Sequence, residues 1–245
     1  MTQQVKTIAV LGYDKCSEQD TITPLEIFRG AGMVLSGGIN PIPLTGPKQT
    51  IDVKLLNTKP GNITMQMGTQ VIADAELGDE LYDLLYLPGG VGAGEITQDK
   101  KVLDAIREHH AKGKIVAANC SGVGILFRAG VLGTEPQTCV AGVARRLRSE
   151  GANIPDARRA WEKSSDGLIW TASGSYGING ATVAMVSHLY GEQVGMMVAM
   201  MFDTYAGLGE QIHADAGPEF YNHPEIEAKY QDFFEEMLLP TAGAR

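Results

Sequence analysis

The chain has 245 residues, a length that fits one α/β domain or at most two small ones. Hydrophobic residues make up 44% and charged residues 20%, so a large core can form and disorder is excluded. No apolar run is long enough to span a membrane, and Met1–Tyr13 lacks the regions of a secretion signal. The net charge of −9 argues against nucleic acid as a partner, because phosphate binding needs a basic face.

The cysteine content predicts the redox environment. Three cysteines are an odd number for a disulfide framework, and they favour a reducing compartment. We therefore expect a cytoplasmic protein that takes a small molecule as its partner.

The first predicted elements are a strand and a helix. The apolar run Thr7–Tyr13 is typical of a strand buried on both faces, as in a parallel sheet. The helix after it has two possible starts. Thr23–Glu26 resembles a capping box with Pro24 at the first helical position, whereas Ser17–Asp20 gives an earlier start that Pro24 would bend.

The rest of the chain alternates between predicted strands and helices. Ile39–Leu44 is a strand candidate, and Val53–Leu56 and Thr64–Met67 look like β-rich additions. Further strands are predicted at Leu84–Leu87 and Lys114–Cys120, with a hairpin of Trp161–Ser164 and Leu168–Thr171. Helices are predicted around Val102–Ile106 and over Gly122–Leu132, Ala181–Tyr205 and His223–Leu239. This alternation predicts an α/β fold in one domain: a mainly parallel sheet flanked by helices on both faces.

Cys120 is the candidate nucleophile. In a parallel sheet, ligands bind beyond the carboxyl ends of the strands, and Cys120 ends a predicted strand there. A nucleophile elbow requires small residues two positions before and after the nucleophile, and Ala118 and Gly122 meet this requirement. The helix after Cys120 would favour its thiolate, and the Ser121 N–H would point toward an oxyanion. The alternative is a buried structural thiol.

Two neighbouring loops supply the other candidates. Pro88–Gly90 allows a close backbone approach to a ligand, and we expect Gly90 and Val91 to line the substrate site and add an oxyanion donor. Alternatively, Pro88–Gly90 is a turn with no role in binding. In the first loop Asp20 is the candidate acid, with Glu18 and Glu26 as competitors and a helix cap as its alternative role.

The remaining chemically active side chains are assigned to packing. Cys16 is expected to line the first loop and Cys139 to lie in the core. His188 is expected to be a packing residue, and no histidine is close to Cys120 in sequence. No pair of residues has metal-ligand spacing, so we expect no metal site; His109 and His110 are neighbours that point to different faces. The methionines of the long helix favour a core or a subunit interface: Met196, Met197, Met200 and Met201.

Three motifs in this order resemble the ThiJ/PfpI superfamily, which has a flavodoxin-like, glutamine-amidotransferase-like sandwich. They are Glu18–Pro24, Asp83–Gly90 and the elbow Ala118–Gly122 with Leu126–Gly133 after it. The resemblance extends from about Thr7 to Gly217, which predicts a family domain over residues 1–217. Residues 218–245 are then expected to form a helical extension packed on the same domain.

Within the superfamily, the chain looks most like isonitrile hydratases. This resemblance implies Cys120 as nucleophile, Asp20 as general acid and base, Ser121 as a neighbouring hydroxyl, a homodimer and no cofactor. We also expect Tyr176 in the pocket, although it could simply cap the helix that follows. Gln137–Val140 departs from the Thr-Thr-His-Trp of many members, which argues against activities that depend on that histidine.

A second departure points to another branch. Leu25–Glu26 replaces the Gly-Pro that hydratases commonly carry, and Glu26 with Arg29 looks more like the oxidative-stress branch. Two functions therefore compete. One is hydration of an isonitrile to an N-formamide through a thioimidate on Cys120, and the other is oxidant sensing through the same thiol. A glyoxalase or deglycase activity on reactive carbonyls is a further alternative.

Overall fold

The computed structural model describes residues 5–38, 44, 46–202 and 224–241. Its strands are β1 Thr7–Gly12, β2 Asp52–Asn57, β3 Ile63–Thr64, β4 Gln70–Val71, β5 Ala75–Glu76, β6 Leu84–Leu87, β7 Ile115–Asn119, β8 Trp161–Lys163 and β9 Ile169–Ala172. Its helices are α1 Glu18–Ser36, α2 Ala93–Ile96, α3 Lys100–Ala111, α4 Gly122–Ala129, α5 Ala141–Ser149, α6 Ser175–Tyr190, α7 Glu192–Met201 and α8 Pro224–Leu238.

Seven strands form the central sheet in the order β5-β2-β1-β6-β7-β9-β8. All neighbours are parallel except β8, which pairs antiparallel with β9 through the predicted hairpin. Every residue of β6, β7 and β9 is buried, which explains why these strands are continuous apolar runs. The predicted fold class, a mainly parallel sheet between helices, is confirmed.

The helices pack in two groups. Helices α1, α6 and α7 contact one another, whereas α4 contacts α2, α3 and α5, and α5 carries α8. None of the helices within the described ranges is both long and apolar enough to cross a bilayer. The carboxyl ends of β1, β6 and β7 meet at one edge of the sheet, where the predicted site loops lie.

The first helix uses the earlier of its two predicted starts. It begins at Glu18, and the Ser17 hydroxyl caps it by accepting the Asp20 N–H at 3.3 Å. Pro24 therefore lies inside the helix, where it removes a hydrogen bond to the carbonyl four residues earlier.

Several predicted elements differ from the structure. Val53–Leu56 is not peripheral: it lies in β2, which pairs with β1 inside the main sheet. The long helix predicted over 181–205 starts earlier, at Ser175, and breaks at Gly191, whose φ of 95° ends α6. The sequence patterns missed α2 and α5 altogether. The strand predicted at 39–44 lies outside the described residues except for Leu44, which is not in a strand.

Candidate active site

Cys120 lies at a strained turn between β7 and α4. Its φ is 53°, a conformation that few residues other than glycine adopt, and its side chain is partly exposed. A methyl group on Gly122 would come within 2.5 Å of the Leu87 carbonyl and 2.6 Å of the Pro88 carbonyl. The turn therefore needs a small residue two positions after the cysteine, as the nucleophile-elbow pattern predicts.

Asp20 meets Cys120 in a small shared space. Its side chain is 1% exposed, and neither carboxyl oxygen has a well-formed hydrogen bond to any residue that the structure describes. A methyl group on Gly89 would lie 2.6 Å from Asp20 Oδ2 and 2.9 Å from Cys120 Sγ, so one glycine separates acid and thiol from the loop behind them. A buried carboxyl without partners is costly, and such groups mark functional sites.

The competing acids lie elsewhere. Glu18 accepts the backbone N–H of Met67 at 2.9 Å and so holds the turn between β3 and β4. Glu26 is exposed on the outer face of α1. The structure thus brings Asp20, and neither glutamate, to the sulfur.

The two groups perturb each other. Burial raises the pKa of Asp20 to about 6, although the nearby Cys120 thiol and Ser17 hydroxyl oppose the shift. Burial and the Asp20 carboxylate raise the pKa of the Cys120 thiol, more than the N–H and hydroxyl of Ser121 lower it. The Ser121 N–H at the helix start does favour the thiolate, but burial and Asp20 outweigh it. The acid and the thiol compete for one proton.

The predicted oxyanion donors of the second loop are already occupied. The Gly90 N–H donates to Ser121 Oγ at 3.0 Å, and Ser121 Oγ donates back to the Gly90 carbonyl at 2.9 Å. The Val91 N–H donates to Gln66 Oε1 at 3.0 Å. Both N–H groups thus have partners within the protein, and Ser121 fixes the loop beside Cys120. The substrate-binding role of Gly90 and Val91 stays a prediction.

Sequence reasoning missed three residues that shape the site. The Asn119 amide accepts the Gly89 N–H at 2.9 Å, and the Tyr13 hydroxyl donates to the Pro88 carbonyl at 2.6 Å. Gly174 forms a wall on another side, because a methyl group there would stand 3.9 Å from Cys120 Sγ. An asparagine that ends a buried apolar strand was the one visible signal. Tyr176, two residues after Gly174, is 49% exposed, and its role stays a prediction.

The other two cysteines and His109 lie in packed positions. Cys16 and Cys139 are fully buried. His188 is exposed, and its ring lies 5.5 Å from that of Trp170. His109 is buried and accepts the Tyr82 N–H at 3.0 Å. In the described ranges, no three histidine, cysteine or acidic side chains cluster as metal ligands would.

Two enzymes of known activity are similar to this chain in sequence. The isonitrile hydratase of Pseudomonas putida is 27% identical over 180 residues, which cover 70% of this chain and 77% of that enzyme. A deglycase of Pyrococcus horikoshii is 30% identical over 109 residues, 43% of this chain and 66% of the deglycase.

Solved structures show the same architecture. A ThiJ/PfpI family protein from Pseudomonas syringae superposes with a TM-score of 0.72 at 18% identity, covering 97% of this chain and 92% of that one. DJ-1beta of Drosophila melanogaster superposes with a TM-score of 0.68 at 19% identity, covering 81% and 97%. The profile of the DJ-1/PfpI family matches residues 6–180, the part that contains Asp20, the Pro88–Val91 loop and Cys120. The chain belongs to the DJ-1/PfpI family.

Proposed function

We propose that this protein is a hydro-lyase that adds water to an isonitrile and releases an N-substituted formamide, with Cys120 as nucleophile. The observation that carries the proposal is the Asp20 carboxyl, buried without a well-formed hydrogen bond beside the Cys120 sulfur. Its pKa of about 6 suits a group that both takes and returns a proton near neutral pH. The similarity to the hydratase of Pseudomonas putida supports the choice of substrate.

The first half of the reaction joins sulfur to carbon. Asp20 takes the proton of the Cys120 thiol, and the sulfur attacks the terminal carbon of R–N≡C. The proton on Asp20 then moves to that same carbon, giving the thioimidate R–N=CH–S on Cys120. Asp20 is a carboxylate again at the end of this half.

The second half adds water and releases the thiol. Asp20 takes a proton from the water that attacks the thioimidate carbon and passes it to the nitrogen as the C=N bond becomes single. The carbon–sulfur bond then breaks as the new hydroxyl becomes the formamide carbonyl, and Asp20 transfers the hydroxyl proton to the sulfur. R–NH–CHO leaves, and Asp20 is again a carboxylate. One water is consumed, and no electrons enter or leave.

Oxidant sensing is the second candidate, and one observation favours it. A protonated Asp20 would donate a hydrogen bond to a sulfinate on Cys120, which is the group beside it. The raised pKa of the Cys120 thiol opposes this function, because peroxide oxidises the thiolate rather than the thiol. The same shift also disfavours attack by Cys120 on an isonitrile, so it does not separate the two functions. The similarity to the hydratase of Pseudomonas putida makes hydration the better-supported proposal. A deglycase activity rests on a shorter alignment and on a histidine that the chain lacks at Gln137–Val140.

The test follows formamide release from a simple alkyl isonitrile. We expect turnover by the wild type, none by Cys120→Ala, and turnover close to wild type by Cys139→Ala, which removes a fully buried thiol. Asp20→Asn should lower kcat by about 10² to 10⁴, the usual contribution of a general acid. Formamide release by Cys120→Ala equal to that of the wild type would refute the proposal.

A second measurement separates the two candidates. We expect no turnover of isonitriles, with rapid peroxide oxidation of Cys120 seen by mass spectrometry, if the protein is a sensor.

We further propose that the protein is a homodimer that acts in the cytoplasm, and light scattering would give its mass in solution.

A further inference from the structure

Asn119 connects three separate parts of the site. It is the last residue of β7 and is fully buried. Its Oδ1 accepts the Gly89 N–H at 2.9 Å, while its Nδ2 donates to the Asp20 carbonyl at 2.9 Å and to the Tyr86 hydroxyl oxygen at 3.1 Å. The Gly89 N–H on one side and the Asp20 carbonyl on the other fix the orientation of the Asn119 amide.

The hydrogen bond from Asn119 to the Asp20 carbonyl replaces one that is missing within α1. Pro24 has no N–H, so it cannot donate to the carbonyl four residues earlier, which is that of Asp20. A buried carbonyl without a donor destabilises the fold, because it gives up its bond to water without a replacement. Asn119 supplies the missing donor across the 99 residues that separate the two in sequence.

The partners of Asn119 are also the residues that set the space around the sulfur. Gly89 lies beside both the acid and the thiol, since a methyl group on it would contact both Asp20 Oδ2 and Cys120 Sγ. Asn119 holds the backbone of Asp20 and the backbone of Gly89 with one amide. It therefore connects Asp20, Gly89 and the adjacent nucleophile Cys120 through a single planar group.

We infer that Asn119 is a positioning residue that sets the spacing between the Asp20 carboxyl and the Cys120 sulfur. The inference rests on the proposed function, because it acts through these two groups. Its test needs no isonitrile, so the two can fail separately.

The chain offers a matched control. Asn57 is the last residue of β2, in the buried second half of that strand, and is 1% exposed. Its Nδ2 donates to the Gly61 carbonyl at 2.9 Å, so it holds a loop and neither Asp20 nor Gly89. Loss of Asn57 is therefore a purely structural change of the same kind.

The experiment measures the pH midpoint of Cys120 alkylation by iodoacetamide, followed by peptide mass spectrometry. The Asp20 carboxylate opposes thiol ionisation, so Asp20→Asn should lower the midpoint. We expect Asn119→Leu to lower it by at least about 0.5 pH unit, because the acid moves off the sulfur. Asn57→Leu should leave the midpoint at its wild-type value.

A double variant decides whether Asn119 acts through Asp20. If it does, Asn119→Leu adds no shift in the Asp20→Asn background, whereas a general loosening of the fold would add the same shift in both. A wild-type midpoint in Asn119→Leu, or a shift that adds fully to that of Asp20→Asn, would overturn the inference. No effect of Asp20→Asn itself would overturn both the inference and the acid–thiol pair.

A third variant guards against failure to fold. Pro24→Ala restores an N–H that can bond the Asp20 carbonyl, which would offset the defect that Asn119→Leu creates. We expect Pro24→Ala/Asn119→Leu to recover part of the urea stability, because only the bond to the Asp20 carbonyl is replaced, and to keep the lowered midpoint. Recovery of the wild-type midpoint along with stability would mean that Asn119 is only structural.

Discussion

The buried Asp20 side chain lowers the stability of the folded state at neutral pH. Its pKa in the folded state is about 6, well above that of an exposed aspartate, so the folded state holds its proton more tightly than the unfolded state. This contribution to stability is fully present below the unfolded pKa and is lost as the pH rises through about 6. At neutral pH the site carries a desolvated charge that the proposed chemistry requires.

We predict that Asp20→Asn stabilises the protein increasingly as the pH rises from 4 to 8. A shift of about two pKa units corresponds to about 3 kcal/mol at the upper end of this range. Urea unfolding at several pH values measures the difference. Asp79→Asn, which changes an exposed carboxyl, should show no such trend. A constant difference between Asp20→Asn and wild type would contradict the prediction.

Gly89 leaves no room for a side chain. We predict that Gly89→Ala lowers the rate of Cys120-dependent hydration by about 100-fold, because the added methyl group displaces the acid or the thiol. Gly78→Ala is the control, since a methyl group there meets no atom within 4 Å. Steady-state kinetics with an alkyl isonitrile measures the effect, and equal activity of the two variants would show that the site tolerates the methyl group.

At the scale of elements, α8 is anchored by charge and by its last apolar residues. Arg146 Nε lies 3.0 Å from a Glu235 carboxyl oxygen, and Arg145 Nε lies 2.8 Å from the other. Leu239, just past the helix, is fully buried, and a methyl group on Gly124 of α4 would come within 3.0 Å of it. The far end of the described chain thus packs on the helix that starts after Cys120.

We predict that Leu239→Ala lowers the free energy of unfolding by about 2 to 5 kcal/mol, since it empties a buried site. Phe233→Ala on α8 removes a larger side chain that is 69% exposed, and it should cost less than about 1 kcal/mol. Urea titration of both variants gives the comparison. A Leu239→Ala variant as stable as Phe233→Ala would mean that this end of the chain contributes little to the fold.

The sequence predicts those elements whose signal is local. The central strands are apolar runs because both of their faces are buried, and the Cys120 elbow is visible in five consecutive residues. The sequence does not predict α5, because its arginines pair with carboxylates of α8, about ninety residues later. Asn119 escapes as part of the site for the same reason: its partners lie 30, 33 and 99 residues away.

At the scale of the whole molecule, a carboxylate lies near each end of the central strands, and the two have opposite effects on stability. At the edge away from Cys120, Asp83 accepts the Lys6 N–H at 2.8 Å and the Thr7 N–H at 3.1 Å, and pairs with Lys114 at 2.8 Å. It thereby links the starts of β1, β6 and β7. Burial alone would raise the pKa of Asp83, but these partners together lower it. The Asp83 carboxylate therefore stabilises the folded state, whereas the Asp20 carboxylate destabilises it.

We predict that Asp83→Asn lowers the free energy of unfolding at pH 7 by about 1 to 3 kcal/mol, because the amide loses the charged bonds. The lowered folded pKa means that the wild-type advantage is present above the unfolded pKa of about 3.9 and disappears as the pH falls through the folded value. The pH trend is therefore one of loss toward acid, whereas the Asp20 contribution is lost toward base. Urea unfolding from pH 2 to 7 measures it, and the alkylation midpoint of Cys120 should stay at its wild-type value. A shift of that midpoint would show that the two edges of the sheet are coupled, and a stability difference that persists below pH 3 would mean that Asp83 acts through packing instead of charge.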